Sequence, residues 1–291
     1  MLTEDQAMSC TFNLTKEIKA GLPKRTPDRF RLLSLRFELL GEERSNALAS
    51  SIALVLPWRR FWLAFAVLAP AATAVSVWSL SNSTPQLFSI PKWNDFALHY
   101  MVLAAILFWH ECGHLAAASK AGLRVDGLGG GFYLVFPALF TSLSLIAIAP
   151  YRDRMKIYAA GAMAQFALGM MLSILLVWSH SPTLRFAVIA NLSTIAINLI
   201  PGLRLDGHRM IQEIIAQDWA GPYRNLLKIL TRLSAVLIGG FSAVTMSGWL
   251  LTAIPATMKT PSLLGVITCA LPTFLLIVFL LNLISGYRRS V

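Results

Sequence analysis

Long apolar segments constrain the fold of this chain more than any other feature. Of its 291 residues, 56% are hydrophobic and only 13% are charged, and the mean hydropathy is +0.63. About six segments come close to the roughly 20 residues that a helix needs to cross a bilayer: residues 61–80, 96–118, 157–179, 185–201, 233–255 and 264–286. Because a bilayer core offers backbone groups no water, such segments are helical. We therefore predict an all-α polytopic membrane protein with about six transmembrane helices.

The segment between the second and third predicted spans departs from this pattern. Residues 122–150 are apolar, but they open with five glycines within ten residues and contain Pro137. Glycine and proline argue against another straight span, and the partial alternation of β-branched and aromatic residues favours strands. We predict a re-entrant or β-hairpin-like insertion here, shielded from lipid by protein.

The basic residues indicate how the chain is oriented. The net charge is +11, but lysine and arginine flank the apolar segments instead of forming a patch on a soluble face. That distribution is typical of topology signals in a membrane protein, so no nucleic-acid partner is expected. Few basic residues lie in the loops 81–95, 180–184 and 256–263, and most lie in the intervening loops. Both termini are therefore predicted to be cytoplasmic, in the cell (inner) membrane.

The composition also divides the chain into parts. A polar cytoplasmic segment covers residues 1–60, a transmembrane domain covers residues 61–286, and residues 287–291 form a cytoplasmic tail. Residues 29–40 fit a short amphipathic helix, a strand or a docking element equally well. The three cysteines (Cys10, Cys112 and Cys269) are too scattered to form a disulfide framework.

An ionisable cluster lies inside the second predicted span, in the sequence MVLAAILFWHECGHLAAASKAG (101–122). Ionisable side chains in such a setting are costly and usually functional. His110 and His114 are four residues apart, so on a helix both imidazoles project from one face and can bind one ion. Glu111 lies between them in sequence, near enough to act on a bound water. This is the HExxH arrangement of two metal ligands and a general base.

A third metal ligand is expected, because a catalytic zinc ion takes three protein ligands and leaves one position open to water. Asp206 is the obvious candidate, in the segment NLSTIAINLIPGLRLDGHRM (191–210) at the end of the fourth span. Pro201 and Gly202 break the helix where a carboxylate must turn inward, and Gly207 allows close backbone approach. Alone, Leu-Asp-Gly is more simply a turn or a helix cap. Together with an intramembrane HExxH, it indicates a ligand.

The two motifs together resemble the site-2 protease family of intramembrane zinc metalloproteases. They are His110-Glu111-x-x-His114 in one span and Asn198-x-x-Pro201-x-x-x-x-Asp206-Gly207 in a later one. The similarity covers roughly residues 96–215, which corresponds to the catalytic core of that family. It implies that His110, His114 and Asp206 bind zinc, that Glu111 is the general base, and that Asn198 lies near the substrate or the developing oxyanion.

The chain also departs from the family pattern. Many members place a Gly-Pro pair and an asparagine in the span between the two motifs, whereas here Gly161 is followed by Ala162, with Gln165 nearby. No substrate-binding residue is therefore assigned in that span. No segment looks like a PDZ domain. Residues 136–165 are more similar to the branch described as peptide zinc metalloproteases.

The resemblance implies hydrolysis of a peptide bond within or near the membrane segment of a membrane-anchored protein or peptide, with Zn²⁺ as cofactor. His110 lies eight residues from the cytoplasmic end of its predicted span, about 12 Å along a helix, which places the site in the inner third of the bilayer. A membrane transporter or a non-catalytic binding module on the same architecture is the alternative. A prenyl-protein-type protease, which is also membrane-embedded and carries HExxH, ranks third. That class of protease lacks the Asn/Pro/Asp-Gly motif found here.

Overall fold

A computed structural model describes residues 34–82, 93–133, 136–201, 205–231 and 233–234 of the chain. The chain divides into two compact units, Met1–Leu35 and Arg36–Val291, and the described residues belong almost entirely to the second. The predicted spans 233–255 and 264–286, the tail 287–291 and the first 33 residues of the polar segment lie outside the described residues, apart from two residues at the start of the fifth span.

The described residues are mostly helical, as predicted. We number the helices α1 to α6: Glu42–Ala53, Phe61–Asn82, Trp93–Lys120, Tyr151–Ser179, Pro182–Leu199 and Asp206–Ile215. Four helical segments are long and apolar enough to cross a membrane, namely Trp58–Asn82, Ala97–Lys120, Tyr151–Ser179 and Pro182–Leu199. They overlap the first four predicted spans, so the described part of the chain has the make-up of a membrane protein.

Helix α4 begins earlier than its predicted span. The span was predicted from residue 157, where the continuous apolar sequence starts, whereas the helix begins at Tyr151 with Pro150 as its N-cap. The additional turns are charged, and Asp153 in the first turn favours a helix start because it complements the positive end of the helix dipole. Hydropathy alone locates the part of a helix that lies in lipid and misses such a polar extension.

The segment between α3 and α4 forms a β-hairpin. Strand β2 (Gly127–Tyr133) pairs antiparallel with β3 (Phe136–Ser142), with Gly127 opposite Ser142 and Tyr133 opposite Phe136. A Cβ at Gly129 would overlap the Phe140 ring, so glycine on one strand makes room for an aromatic side chain on the other. The expected hairpin-like strands are therefore present.

A third strand joins this hairpin from the N-terminal part of the chain. Strand β1 (Ser34–Leu40) lies beside β2 in a sheet of order β1-β2-β3. The sequence left residues 29–40 open between helix, strand and docking element, and the structure makes Ser34–Leu40 a strand. Its choice of conformation depends on a partner about ninety residues away, which local sequence does not reveal.

Helix α1 attaches the sheet to α3. The Asn46 side chain donates to the Val125 carbonyl (2.8 Å) and accepts from the Val125 amide (3.0 Å), just before β2 begins. The Ser45 hydroxyl accepts from the Leu128 amide at 3.1 Å. Beneath these bonds, an apolar cluster joins the two helices and the start of the hairpin: Ala49, Leu115, Ala118 and Val125. The polar N-terminal residues therefore position the hairpin beside α3.

Helices α3 and α4 pack through small residues. A Cβ at Gly113 would overlap the backbone carbonyl of Ala160, and Ala117, Ala159 and Ala160 are buried in the same contact region. Small side chains let two spanning helices approach closely where lipid gives no hydrophobic driving force. This close contact brings the middle of α4 against the histidine-bearing face of α3.

Candidate metal centre

The residues of the first motif lie together in the middle of α3. His110, Glu111 and His114 are 4%, 8% and 7% exposed, although all three side chains are ionisable. One ligand atom from each lies within 4.8 Å of the others. Burial of such groups is costly unless they are paired or bind a metal. This buried group of side chains can hold a metal ion.

Asp206 meets both histidines from the start of α6. Its Oδ2 atom lies 2.9 Å from His110 Nε2 and 3.1 Å from His114 Nε2, and the two Nε2 atoms are 3.0 Å apart. The structure thus brings together the three side chains that the sequence predicts as ligands, although 96 residues separate His110 from Asp206.

The donor set fits a zinc ion. Zinc bonds of about 2.0–2.1 Å in tetrahedral geometry place neighbouring ligand atoms about 3.3 Å apart, close to the 2.9–3.1 Å observed. The other ring nitrogen of His114, Nδ1, lies 2.7 Å from the Ile157 carbonyl oxygen, which can only accept. Nδ1 therefore carries a hydrogen, and Nε2, the nitrogen that would bind an ion, faces His110 and Asp206.

Gly161 provides the space that such an ion requires. A Cβ at this position would lie 2.5 Å from His110 Cε1 and 2.6 Å from the Nε2 atoms of both His110 and His114. The α4 backbone therefore faces the two ligand nitrogens without a side chain between them. The sequence placed Gly161 at a departure from the family pattern but gave no indication of this role.

The end of α5 explains how Asp206 reaches the histidines. The helix ends at Leu199 and Ile200 is extended, because the residue before a proline avoids helical geometry. A Cβ at Gly207 would overlap the Leu199 carbonyl. The expectations that Pro201 ends the helix and that Gly207 permits close approach are therefore both confirmed.

Two further contacts hold α6 in place. His208 Nδ1 lies 2.8 Å from the Pro201 carbonyl oxygen, which joins the first turn of α6 to the end of α5. At the other end of the helix, Arg154 donates to Glu213 at 2.6 Å and links α6 to the start of α4. Asp206 is therefore presented by a helix that is fixed on two sides.

The Asp206 carboxyl is held in its ionised form. Burial raises its pKa, but the attraction of His114 and the hydrogen bonds with both imidazoles act in the opposite direction and prevail. The net result is a pKa well below the usual range for aspartate. A carboxylate is the form of this side chain that binds a cation.

Glu111 is held from the hairpin. The Thr141 hydroxyl on β3 donates to Glu111 Oε2 at 2.7 Å, and Glu111 borders the two histidines. The sequence did not identify Thr141, since nothing in the sequence indicates which residue of the hairpin faces α3. The contact connects the insertion directly to the predicted general base.

Asn198 is less directly involved than the other predicted residues. It lies half-buried in the last turn of α5. Within the described residues, no hydrogen bond joins its side chain to His110, Glu111, His114 or Asp206. Its role near a substrate or an oxyanion therefore stays a prediction.

Gln165 is a third residue, after Gly161 and Thr141, whose role the sequence did not assign. It is fully buried, and its Oε1 atom lies 2.9 Å from His110 Nδ1. A polar amide in the middle of an apolar span was the available signal, because such groups in a membrane need a partner.

No model of a known protein family and no curated protein matches this chain.

Proposed function

We propose that this protein is an intramembrane zinc metalloprotease of the site-2 protease type. One observation carries the proposal: three side chains with the chemistry of zinc ligands converge to within 3.1 Å inside a bundle of apolar helices. A buried glutamate lies beside them. This combination is typical of sites in which a metal and a general base act together on a peptide bond.

Each residue of the proposed site has a distinct chemical role. His110, His114 and Asp206 would hold the zinc ion, which when bound supplies Lewis-acid chemistry toward a peptide carbonyl and toward water. Glu111 removes a proton from the attacking water and later delivers a proton to the leaving amine. Thr141 holds one oxygen of Glu111, which leaves the other free to exchange that proton.

The proposal includes a membrane arrangement. Two further spans, 233–255 and 264–286, bring the number of transmembrane helices to six. The protein lies in the cell (inner) membrane, with both termini on the cytoplasmic side. The catalytic core covers about residues 96–215, and the hairpin enters the membrane from the cytoplasmic side. Support comes from the distribution of basic residues and from the four described spanning helices.

A membrane-anchored protein or peptide is the proposed substrate. A helical substrate hides its peptide bonds, so it must be unwound and held extended. Strand β3 is an outer strand of the described sheet, and an extended segment can add to such an edge through backbone hydrogen bonds. Because Thr141 of β3 contacts Glu111, a segment bound there would lie near the proposed base.

The strand-edge hypothesis is tested by a proline substitution. Leu139→Pro removes a backbone donor and distorts β3. Cleavage of a model transmembrane substrate should fall while zinc content stays at the wild-type level. Undiminished cleavage by Leu139→Pro, or by variants with charged insertions across residues 132–140, would contradict the hypothesis.

The catalytic proposal is tested with Glu111→Gln. A protease loses turnover in this variant but keeps zinc, because Glu111 is the proposed base and not a ligand. Purified full-length protein is assayed for cleavage of a model membrane-anchored peptide and for bound metal. Retained cleavage would refute the assignment of Glu111. A transporter or binding module would show no cleavage in the wild type and little change of its own activity on substitution.

A further inference from the structure

The side-chain amide of Gln165, on α4, has polar partners on two neighbouring helices. It is fully buried, and each end of its amide has one polar partner. Oε1 lies 2.9 Å from His110 Nδ1, and Nε2 donates to Thr194 Oγ1 on α5 at 2.8 Å. One side chain thus links the three helices α3, α4 and α5.

The orientation of the amide follows from Thr194. Its hydroxyl oxygen lies 3.0 Å from the Ala190 carbonyl oxygen and 2.9 Å from that of Asn191. Carbonyl oxygens accept but cannot donate, so the hydroxyl hydrogen is directed to them. Thr194 Oγ1 is then an acceptor toward Gln165. The amide nitrogen of Gln165 must face Thr194, and its oxygen must face His110.

The orientation of the Gln165 amide in turn determines which ring nitrogen of His110 carries a hydrogen. A side-chain carbonyl oxygen accepts only, so His110 Nδ1 carries the hydrogen. In the neutral ring, Nε2 then presents its lone pair toward His114 Nε2 and Asp206 Oδ2, at 3.0 and 2.9 Å. A reversed amide would stabilise the other tautomer, with a hydrogen on Nε2 that blocks a cation.

We propose that Gln165 is a positioning residue that selects the metal-binding tautomer of His110, and that Thr194 fixes Gln165 in the required orientation. The inference rests on the proposed metal centre and does not depend on proteolysis. It gives a physical role to the residue that stands where many site-2 proteases have a different side chain.

Zinc affinity provides the first test. Purified full-length protein in detergent is titrated with zinc against a chromophoric chelator. Gln165→Met, of similar length but with only a weakly accepting thioether, should weaken zinc binding by about 10–100-fold. Gln165→Glu keeps an acceptor facing Nδ1 and should bind within about tenfold of the wild type.

Thr194 provides the sharper comparison, because its hydroxyl bonds to Gln165, Ala190 and Asn191, and among the described residues no hydrogen bond joins it to the histidines. Thr194→Val removes the acceptor that orients Gln165 and should weaken zinc binding by about tenfold, whereas Thr194→Ser should not. The matched control is Thr73→Val. Thr73 makes the same kind of bond to the carbonyl four residues earlier, at 2.8 Å, but is exposed on α2. The zinc affinity of the Thr73→Val variant should equal that of the wild type.

A second measurement needs neither zinc nor turnover. The ¹⁵N chemical shifts of the His110 ring in metal-free protein distinguish a hydrogen on Nδ1 from a hydrogen on Nε2. The wild type should show a hydrogen on Nδ1, whether or not Nε2 also carries one toward Asp206. Thr194→Val should show a mixture of rings with and without a hydrogen on Nδ1. A wild-type ring without a hydrogen on Nδ1, or wild-type zinc affinity in both Gln165→Met and Thr194→Val, would overturn the inference.

The same data separate this inference from the proposed function. A wild-type protein that binds zinc but cleaves no substrate would refute the protease proposal and leave the role of Gln165 supported by the affinity series. A wild-type protein that binds no zinc would overturn both.

Discussion

At the scale of single residues, the absence of a side chain at position 161 is as important as the presence of the ligands. We expect Gly161→Ala to lower zinc affinity by at least about 100-fold, because its Cβ would lie 2.6 Å from both ligand nitrogens. Bound metal after dialysis against buffered zinc is the measurement. Gly221→Ala is the control, since a Cβ there has no atom within 4 Å. Equal metal content in the two variants would argue against an ion between the histidines.

Thr141 gives a second prediction at this scale. Thr141→Val keeps the shape of the side chain but removes the donor to Glu111 Oε2. We expect kcat to fall by about tenfold, with KM and zinc content little changed. Thr141→Ser restores the hydroxyl and should recover most of the loss. If the serine variant is as slow as the valine variant, the hydroxyl does not position Glu111.

The predicted and the unpredicted residues of the site differ in a physical way. His110, Glu111 and His114 stand out in sequence because ionisable groups are rare in apolar spans, and Asp206 follows from the need for a third ligand. Gly161, Gln165 and Thr141 are ordinary residue types whose roles depend on which faces of α3, α4 and β3 meet. Those contacts are set by tertiary packing, which a single sequence does not display.

At the scale of elements, the hairpin depends on α1 for its attachment. Asn46→Ala removes both bonds to Val125, and we expect a loss of about 1–3 kcal/mol in the local stability of the hairpin. Amide hydrogen exchange over residues 127–142 should accelerate, while α3 stays protected. Asn82→Ala is the control, because the Asn82 amide is exposed and donates to the Trp78 carbonyl within its own helix. Unchanged exchange in Asn46→Ala would show that other contacts hold the hairpin.

The elements were predictable to different degrees. Four spans follow from hydropathy and length, and the hairpin follows from glycine followed by alternation. Strand β1 was one of three open possibilities, because its partner β2 is remote in sequence. A helix begins earlier than its predicted span where charged turns precede the apolar sequence, as at Tyr151.

At the scale of the whole molecule, the proposed ion connects α3 to α6. Removing it with a chelator should lower the thermal stability of the protein. A ligand present at 100 times its Kd contributes about 2.7 kcal/mol to the folded state, and re-addition of zinc should restore it. Asp206→Asn should melt at the same temperature with and without the chelator. Equal melting of the wild type under both conditions would contradict a structural contribution of the ion.

The distance in sequence between His110 and Asp206 bears on how the protein is made. The three proposed ligands become available only when the ribosome has passed residue 206, after the four helices that are long and apolar enough to cross a membrane have been made. A nascent chain that stops earlier has His110, Glu111 and His114 but lacks Asp206, the third proposed ligand. The proposed hydrolytic activity would therefore arise late in biogenesis, after the preceding helices have been synthesised.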